Sequence, residues 1–375
     1  MAEQNRIDIS KLPESKRYTL CEEKEADAIG WAFTDEKTMV KYPFKFPPLS
    51  SDEIRANILF TGLCMSDVYT VRHLWATCDY PVVPGHEIVA QISKVGDAVK
   101  DFKVGDVIGF GTRRSCCEEC EFCCARRENL CNKIVKTYGN FYWGGYATAF
   151  QAKASWCFKL PPNFDIQKGS PLLCAGTTTF SPIEKYLTIL SAPKKTGVVG
   201  CGGIGHMAIQ FLHKLGHHVT AFTTSSNKNE VLKKLGVDKI VLSTDEKQLK
   251  EAYNTVDFLI CCINVNAGVE NYFHVLKKGG KFIQLGLPPQ KADCVKIDLL
   301  DLVSKEIQII GSIVGTREVT NKMLKFCTEN NIYPLVEEYS FEDFPKAFER
   351  LEHGRPLFRC VVNVRDYAKK HGLFK

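Results

Sequence analysis

Residues 196–216 read TGVVGCGGIGHMAIQFLHKLG, and this stretch decides the fold of the second half of the chain. A short apolar run, Thr196–Gly200, is typical of a buried strand. A glycine-rich turn follows, and after it apolar side chains recur at helical spacing until Gly216. The order strand, glycine turn and helix is the fingerprint of a dinucleotide-binding unit, because bare backbone lets a pyrophosphate approach the amino end of the helix. The alternative is a glycine turn that binds nothing.

The residues of this turn that we expect to contact a dinucleotide are Gly200, Gly202, Gly203, Ile204 and Gly205. Beyond Gly216 the patterns of strands and helices alternate, which predicts a doubly wound parallel sheet with helices on both faces. Strands are predicted at His217–Phe222, Lys239–Leu242, Val256–Cys262, Lys281–Leu285 and Ile307–Gly311, and helices at Lys228–Leu235 and near Gly268–Lys277.

The second predicted strand of this sheet indicates which dinucleotide binds. NAD-binding units place a carboxylate at its end to hold the ribose 2′-hydroxyl, but residues 223–228 read TTSSNK and contain no acid. Hydroxyls and a lysine suit a 2′-phosphate, which a carboxylate would repel. We therefore predict NADP(H), with the alternative that these residues only cap the next helix. The expected contacts are Thr223, Thr224, Ser225 and Lys228.

The first 170 residues have a different pattern of apolar and turn residues. Short apolar runs such as Glu53–Thr61, His86–Val95 and Val107–Gly111 alternate with Gly and Pro turns, which predicts a β-rich domain. After the parallel-sheet region, helical patterns at Lys322–Glu329 and Phe344–Leu351 lead to a final strand at 358–364. We expect this tail to return to the first domain.

Composition limits the function classes. The chain has 375 residues, 45% hydrophobic and 25% charged, which predicts about two globular domains and excludes a disordered chain. A net charge of +6 gives no reason to expect a nucleic-acid partner. The first 18 residues lack the apolar core of a signal peptide, and the apolar runs are about half the roughly 20 residues that span a bilayer. We expect a soluble, cytoplasmic protein without a membrane partner.

Cysteines are clustered, since six of the 17 lie between Cys116 and Cys131. Four of them have the spacing C-x2-C-x2-C-x7-C, which can close a tetrahedral zinc shell and leave no position for water. Such a site is structural, and its expected ligands are Cys117, Cys120, Cys123 and Cys131. Registers that use Cys116 or Cys124 stay open, as does a loop of unliganded thiols.

Several motifs along the whole chain resemble the zinc-dependent medium-chain alcohol dehydrogenases, and within them the cinnamyl alcohol dehydrogenase branch. Besides the four-cysteine loop and the glycine turn, they are GLCMSDVY (62–69), VVPGHEIVA (82–90), PLLCAGTTTFSP (171–182), GSIVGT (311–316) and KAFERLEHG (346–354). The resemblance implies a GroES-like β-rich catalytic domain, residues 1–174 and 313–375, and an inserted Rossmann-type domain, residues 175–312. It also implies a homodimer.

The resemblance assigns roles position by position. Cys64, His86 and Cys174 would ligate a catalytic zinc, and three protein ligands leave the fourth position open for substrate. Glu87 resembles a family glutamate that can bind the zinc when the substrate position is empty. The roles implied for the remaining residues are orientation of His86 by Asp67, proton transfer to the cofactor ribose by Ser66, a nicotinamide contact by Thr178, and cofactor contacts by Ser312 and Arg359. Without the resemblance, each of Cys64, His86 and Cys174 could equally be an ordinary buried residue.

Residue 69 is among the positions that depart from the family pattern. Many relatives carry a histidine five residues after the first zinc ligand to complete a proton relay, and this chain has Tyr69 there. A phenol with an ordinary pKa of about 10 shuttles protons less readily near neutrality. Trp75, Tyr142 and Trp143 are either substrate-pocket walls or ordinary packing.

The function predicted from these residues is a zinc- and NADP(H)-dependent alcohol dehydrogenase that reduces aromatic or medium-chain aldehydes, with two Zn²⁺ per chain. Two alternatives remain at this stage. One is an NADPH reductase of the same fold acting on conjugated or iminium substrates, which the tyrosine at position 69 keeps open. The other is a non-enzymatic, zinc-stabilised nucleotide-binding protein.

Overall fold

The structure, a computed structural model, describes residues 18–75, 78–139, 142–187, 192, 194–265, 268–288, 294–354 and 356–374. Residues 1–17, which carry most of the signal-peptide prediction, lie outside this part. The described residues contain no helix that is long and apolar enough to cross a membrane.

The described strands, in chain order, are β1 (Thr19–Leu20), β2 (Ala28–Phe33), β3 (Met39–Lys45), β4 (Glu53–Leu63), β5 (Ile88–Val95), β6 (Val107–Phe110), β7 (Arg113–Ser115), β8 (Val135–Lys136), β9 (Ala149–Lys153), β10 (Phe158–Lys159), β11 (Lys195–Val199), β12 (His218–Thr223), β13 (Lys239–Leu242), β14 (Val256–Cys261), β15 (Leu276–Gln284), β16 (Gln308–Gly311), β17 (Val336–Ser340) and β18 (Arg359–Asn363).

The α-helices are α1 (Met65–Val71), α2 (Glu121–Cys124), α3 (Ala175–Tyr186), α4 (Gly205–Lys214), α5 (Asn229–Lys234), α6 (Glu246–Glu251), α7 (Leu299–Ser304), α8 (Arg317–Asn330), α9 (Phe344–Glu352) and α10 (Arg365–Lys370). Single 3₁₀ turns lie at Glu23–Glu25, Glu128–Leu130, Ala154–Trp156, Ser170–Leu173 and Val269–Tyr272.

The chain divides into two compact units, Met1–Cys174 with Leu335–Lys375, and Ala175–Pro334. The boundary expected from the sequence lies after residue 312, whereas in the structure residues 313–334 belong to the second unit. The reason is that α8 packs on α3. Thr320 Oγ1 lies 2.9 Å from Thr177 Oγ1, and the rings of Phe326 and Phe180 are 5.5 Å apart.

In the first unit β4 is the central strand of a seven-stranded sheet with the order β10-β6-β5-β4-β18-β17, and β9 also pairs with β4. Most of its eleven residues are buried, which agrees with its apolar sequence. The tail of the chain returns to this unit as expected, because β18 pairs antiparallel with β4, Cys360 opposite Leu63. A separate three-stranded sheet has the order β1-β3-β2.

The second unit is built on a six-stranded parallel sheet with the order β13-β12-β11-β14-β15-β16. When the strands are numbered within this unit, the order is 3-2-1-4-5-6, which is the Rossmann order. The strand order reverses between β11 and β14. Buried Val199, Phe222, Leu259 and Phe282 fill the core. The predicted fold class, a β-rich domain plus a Rossmann-type domain, is confirmed.

The helix predicted near Gly268–Lys277 is wrong. That segment forms only the 3₁₀ turn Val269–Tyr272, and β15 already begins at Leu276. Gly268 has φ +81°, so the turn starts from a left-handed residue. The apolar spacing arises because Val269, Tyr272 and the residues after them are all buried against the sheet. Conversely α6 and α7 were missed, although the side chains of Asp245 and Asp298 cap them.

Candidate metal centres and nucleotide site

The pairing of β4 with β5 brings the first candidate metal ligands together. Cys64 follows β4, and His86 and Glu87 lead directly into β5, with Thr61 opposite Ile88 in the antiparallel register. Cys174 follows the 3₁₀ turn Ser170–Leu173. One ligand atom from each of Cys64, His86, Glu87 and Cys174 lies within 4.8 Å of the others, so three separate parts of the sequence form one cluster, all of it inside the first unit.

The geometry and chemistry of this cluster suit zinc. The sulfurs of Cys64 and Cys174 are 4.0 Å apart, close to the edge of about 3.8 Å that Zn–S bonds of about 2.3 Å give in a tetrahedron. A hydrogen bond from Cys174, and one from His86, lower the pKa of Cys64 well below its ordinary value against the opposing effect of burial. Thiolate and imidazole are the donors that zinc prefers.

Asp67 is hydrogen-bonded to the histidine of this cluster, and its role in orienting a metal ligand stays a prediction. Its carboxylate is completely buried, and Oδ1 accepts from His86 Nδ1 at 2.8 Å. That bond leaves the lone pair on Nε2 for a metal. The local fold fixes the carboxylate, because Asp67 is the third residue of α1 and forms a capping box with Cys64.

The other oxygen of Asp67 has a partner that sequence reasoning missed. Tyr146 donates to Oδ2 at 2.5 Å, and its side chain is completely buried. The two residues are 79 positions apart, and a tyrosine in an apolar stretch looks like any other core aromatic. Nothing in the sequence alone signals this contact.

Glu87 points one carboxylate oxygen into the cluster. Its Oε1 accepts from Arg359 Nη2, whereas Oε2 has no hydrogen-bond partner among the described residues. Burial raises the pKa of Glu87 to about 7, and the charge of Arg359 is the largest opposing influence. A Cβ at Gly62 would lie 2.0 Å from Glu87 Oε2, so any larger residue there would displace this carboxylate. Arg359, expected to contact the cofactor, therefore lies beside the metal ligands, and its cofactor role stays a prediction.

Ser66 and Tyr69 both lie on α1, but their surroundings differ. Ser66 Oγ is 3.1 Å from Cys64 Sγ and 3.3 Å from His86 Nε2, so its hydroxyl is within the ligand cluster. The Tyr69 ring packs edge-on against Trp75 at 5.1 Å, and burial raises the pKa of its phenol. A relay role for Tyr69 stays a prediction.

The second cluster lies on the loop between β7 and β8. The Sγ atoms of Cys117, Cys120, Cys123 and Cys131 lie within 4.8 Å of one another. Adjacent pairs are 3.4–3.9 Å apart, which suits tetrahedral zinc. Backbone N–H groups of Glu119 and Cys120 lower the pKa of Cys117 to about 6, which favours the thiolate.

The neighbouring thiols stand outside this cluster. Cys124 is exposed and its Sγ lies 3.5 Å from the carbonyl oxygen of Glu119, whereas Cys116 packs against the hydrophobic core of the first unit. The geometry therefore favours the register that starts at Cys117.

Of the three aromatic residues considered as pocket walls, Trp143 is a core residue. It stacks on Tyr18 at 4.8 Å and meets Phe44 edge-on at 4.6 Å. Tyr142 is partly exposed, with the guanidinium of Arg114 over its ring. Ordinary packing accounts for Trp143.

The glycine turn of the second unit has the shape that a pyrophosphate requires. Gly200 has φ +82°, and a Cβ there would lie 2.7 Å from Ile263. At Gly202 a Cβ would meet nothing within 4 Å, so the backbone is open to a ligand. Gly205 begins α4 and lies so close to the Gly200 carbonyl that a Cβ would be 2.2 Å from it. These are the three glycine roles of a dinucleotide turn.

The residues expected to select the 2′-phosphate lie at the same edge of the sheet. β11 and β12 are parallel neighbours, so the glycine turn and Thr223 follow adjacent strand ends. Thr224 and Ser225 are exposed and Lys228 is half-buried at the start of α5. Thr178 lies on α3, and Ser312 follows β16, its N–H bonded to Gln284 O. Their contacts with a cofactor remain predictions.

Two family models match the chain. The family model described as alcohol dehydrogenase GroES-like domain matches residues 50–162, and that described as zinc-binding dehydrogenase matches residues 203–329. The chain is 35% identical to the mannitol dehydrogenase of Apium graveolens, over 92% of this chain and 95% of the relative. It is also 35% identical to cinnamyl alcohol dehydrogenase 2 of Arabidopsis thaliana, over 90% of this chain and 92% of the relative.

Solved structures of cinnamyl alcohol dehydrogenases also resemble this chain. A cinnamyl alcohol dehydrogenase from Sorghum bicolor superposes with a TM-score of 0.85 at 31% identity, over 90% of this chain and 97% of that one. CAD from Helicobacter pylori, complexed with NADP(H), has a TM-score of 0.83 at 28% identity, over 90% and 98%.

Zinc content tests both clusters. We expect the wild-type protein to bind two zinc atoms per chain, and Cys120→Ser and Cys174→Ser to lose one each, because each removes a thiolate from a different cluster. Elemental analysis after gel filtration measures this. Cys124→Ser is the matched control, since its Sγ lies outside the cluster, and it should keep both atoms. Loss of a zinc from that control would contradict the register.

Proposed function

The chain belongs to the zinc-dependent medium-chain alcohol dehydrogenase family, in its cinnamyl alcohol dehydrogenase-like branch, and we propose that it reduces aromatic or medium-chain aldehydes with NADPH. The observation that carries the proposal is the first cluster, which brings two cysteines and a histidine together with Glu87. The family resemblance assigns the zinc to Cys64, His86 and Cys174, and to Glu87 only when the substrate position is empty. Three protein ligands leave the fourth position of a tetrahedral zinc to the oxygen of water or substrate. This is the arrangement of a catalytic rather than a structural site.

The groups supply different parts of the chemistry. When bound, zinc is a Lewis acid for the carbonyl oxygen and NADPH is the hydride donor. Cys64, Cys174 and His86 would hold the metal, and Asp67 keeps the proton of His86 on Nδ1 through the bond of 2.8 Å. Ser66 Oγ is the hydroxyl among the ligand atoms and is the proposed proton donor to the substrate oxygen. Thr70 Oγ1 donates to the Ser66 carbonyl at 2.8 Å and helps to hold this turn.

NADP(H) is supported by the residues at the end of β12. The open backbone at Gly202 and the amino end of α4 suit a pyrophosphate, and the hydroxyls at 223–225 with Lys228 suit a 2′-phosphate. CAD from Helicobacter pylori, whose structure resembles this chain, is complexed with NADP(H).

A homodimer is supported by an apolar surface of the second unit. β16 is the edge strand of the parallel sheet, and an exposed edge can pair with the same edge of a second copy about a twofold axis. This strand and the stretches of sequence before and after it supply seven exposed large apolar side chains, and they are Leu287, Ile297, Leu299, Leu300, Val303, Ile309 and Ile313. A patch of this kind marks an interaction surface.

A cytoplasmic location fits the thiol chemistry. All 17 cysteines are free of disulfides, and six of them belong to the two candidate metal clusters. Thiolate ligands persist where the cell keeps cysteines reduced.

Cinnamaldehyde distinguishes the proposed reaction from its alternatives, because it carries both a carbonyl and a conjugated double bond. We expect NADPH-dependent formation of cinnamyl alcohol, identified by chromatography. Cys64→Ser should lower turnover by about 100-fold or more, since a Lewis acid contributes several kcal/mol. Cys294→Ser, at an exposed thiol, should leave turnover unchanged. Reduction of the double bond instead would favour the conjugated-substrate reductase, and no turnover of any aldehyde would favour a binding protein.

The coenzyme preference tests the role of Lys228. Lys228→Ala should raise the KM for NADPH by about 10-fold and leave the KM for NADH unchanged, because a charge-assisted bond contributes about 1.5–3 kcal/mol. Steady-state kinetics with both coenzymes measure this. Lys234→Ala on the same helix is the control and should change neither value. An equal effect on both coenzymes would contradict the assignment.

A charged side chain introduced into the proposed dimer surface tests it. The wild-type protein should have twice the 42.2 kDa chain mass, and Val303→Glu, at a side chain 73% exposed, should shift it toward one chain mass because a buried carboxylate is costly. Analytical ultracentrifugation measures the mass. Val104→Glu, at an exposed valine of the first unit, should remain dimeric. A dimer in both variants would exclude this surface.

A further inference from the structure

The carboxylate of Asp67 is fully engaged by groups of the first unit. Oδ1 accepts from His86 Nδ1 at 2.8 Å and from the Gly85 N–H at 3.3 Å. Oδ2 accepts from the Tyr146 hydroxyl at 2.5 Å and from the Cys64 N–H at 3.4 Å. The shortest of these four contacts comes from Tyr146, which none of the metal-site motifs contains.

Tyr146 is itself held firmly. It lies completely buried, its ring packs against Phe344 with centroids 4.6 Å apart, and its N–H donates to Pro84 O at 2.9 Å. Gly85 makes room for the ring, because a Cβ there would lie 2.7 Å from Tyr146 Cδ1. Burial, and after it the charge of Asp67, raise the pKa of Tyr146 well above its ordinary value, so its hydroxyl remains a donor.

A hydrogen bond to one carboxylate oxygen fixes the position of the other. Without the Tyr146 hydroxyl, Oδ2 would lose its shortest contact and keep the bond of 3.4 Å from the Cys64 N–H. The carboxylate could then rotate more easily about its Cβ–Cγ bond, and the direction of Oδ1 toward His86 would be less defined. With both oxygens fixed, the ring of His86 has one tautomer and one orientation. Groups behind a metal ligand tune its affinity through such contacts.

We propose that Tyr146 is a positioning residue of the metal centre, whose hydroxyl fixes the Asp67 carboxylate and through it directs His86 Nε2 into the ligand cluster. The inference rests on the proposed function, in which Cys64, His86 and Cys174 hold a catalytic zinc.

Tyr146→Phe removes one oxygen and keeps the ring. We expect the zinc of the first cluster to be lost to a chelator about 3- to 10-fold faster, less than the 10- to 100-fold typical of a group that contacts the ligand directly. The four-cysteine zinc should leave at an unchanged rate, which makes it an internal reference. The absorption spectrum of the protein with Co²⁺ at the first cluster should shift, and kcat should fall with little change in KM.

Tyr339→Phe is the matched control, since Tyr339 OH also donates to a carboxylate, Glu337 Oε2 at 3.1 Å, in the same unit but outside the cluster. Equal zinc loss and equal cobalt spectra in the two variants would overturn the inference. Coupling is tested in the Asp67→Asn background, where Tyr146→Phe should have less than about a twofold further effect. The same effect in both backgrounds would also overturn it.

Folding of each variant is checked by circular dichroism. If Tyr146→Phe does not fold, Tyr146→3-fluorotyrosine keeps the shape and is a stronger donor, so it should slow zinc loss, and an unchanged rate would contradict the proposal. A wild-type protein that binds only the four-cysteine zinc would refute the proposed function together with this inference. Two bound zinc atoms with no effect at position 146 would refute the inference alone.

Discussion

The antiparallel register of β4 and β5 is the constraint on which the metal centre depends. Gly62 N donates to Glu87 O at 2.9 Å, and this bond places the end of β4 beside the start of β5. Cys64 and His86 therefore lie at the same end of one sheet. Because a slip of one residue would turn every side chain to the opposite face, the burial of both strands protects the ligand geometry.

Charge is balanced within a buried space. The carboxylates of Asp67 and Glu87 are completely buried, and each has a defined partner, His86 for the first and Arg359 for the second. A buried ion pair contributes little to stability by itself, but leaving one partner alone is costly. The network thus links β18, which carries Arg359, to the two strands that carry the ligands.

Local patterns predicted much of this molecule, and long-range contacts account for what they missed. The sequence predicted the turn at 200–205 and the four-cysteine loop because the residues of each are close together in the chain. Both have the expected local geometry. The helix expected near residue 270 failed because burial against the sheet imitates helical spacing. The place of Arg359 beside Glu87, 272 residues away, and of Tyr146 beside Asp67 depends on tertiary pairing that no local pattern records.

X-ray absorption at the zinc edge of the purified wild-type protein tests the central claim most directly. One cluster offers four sulfur ligands. The other offers two sulfurs and a histidine nitrogen and leaves its fourth position to an oxygen, so the average is three sulfurs and one lighter atom per zinc. We expect that average, with scattering from an imidazole ring. Four sulfurs per zinc without imidazole scattering would mean that only the structural site exists, and would contradict a catalytic zinc.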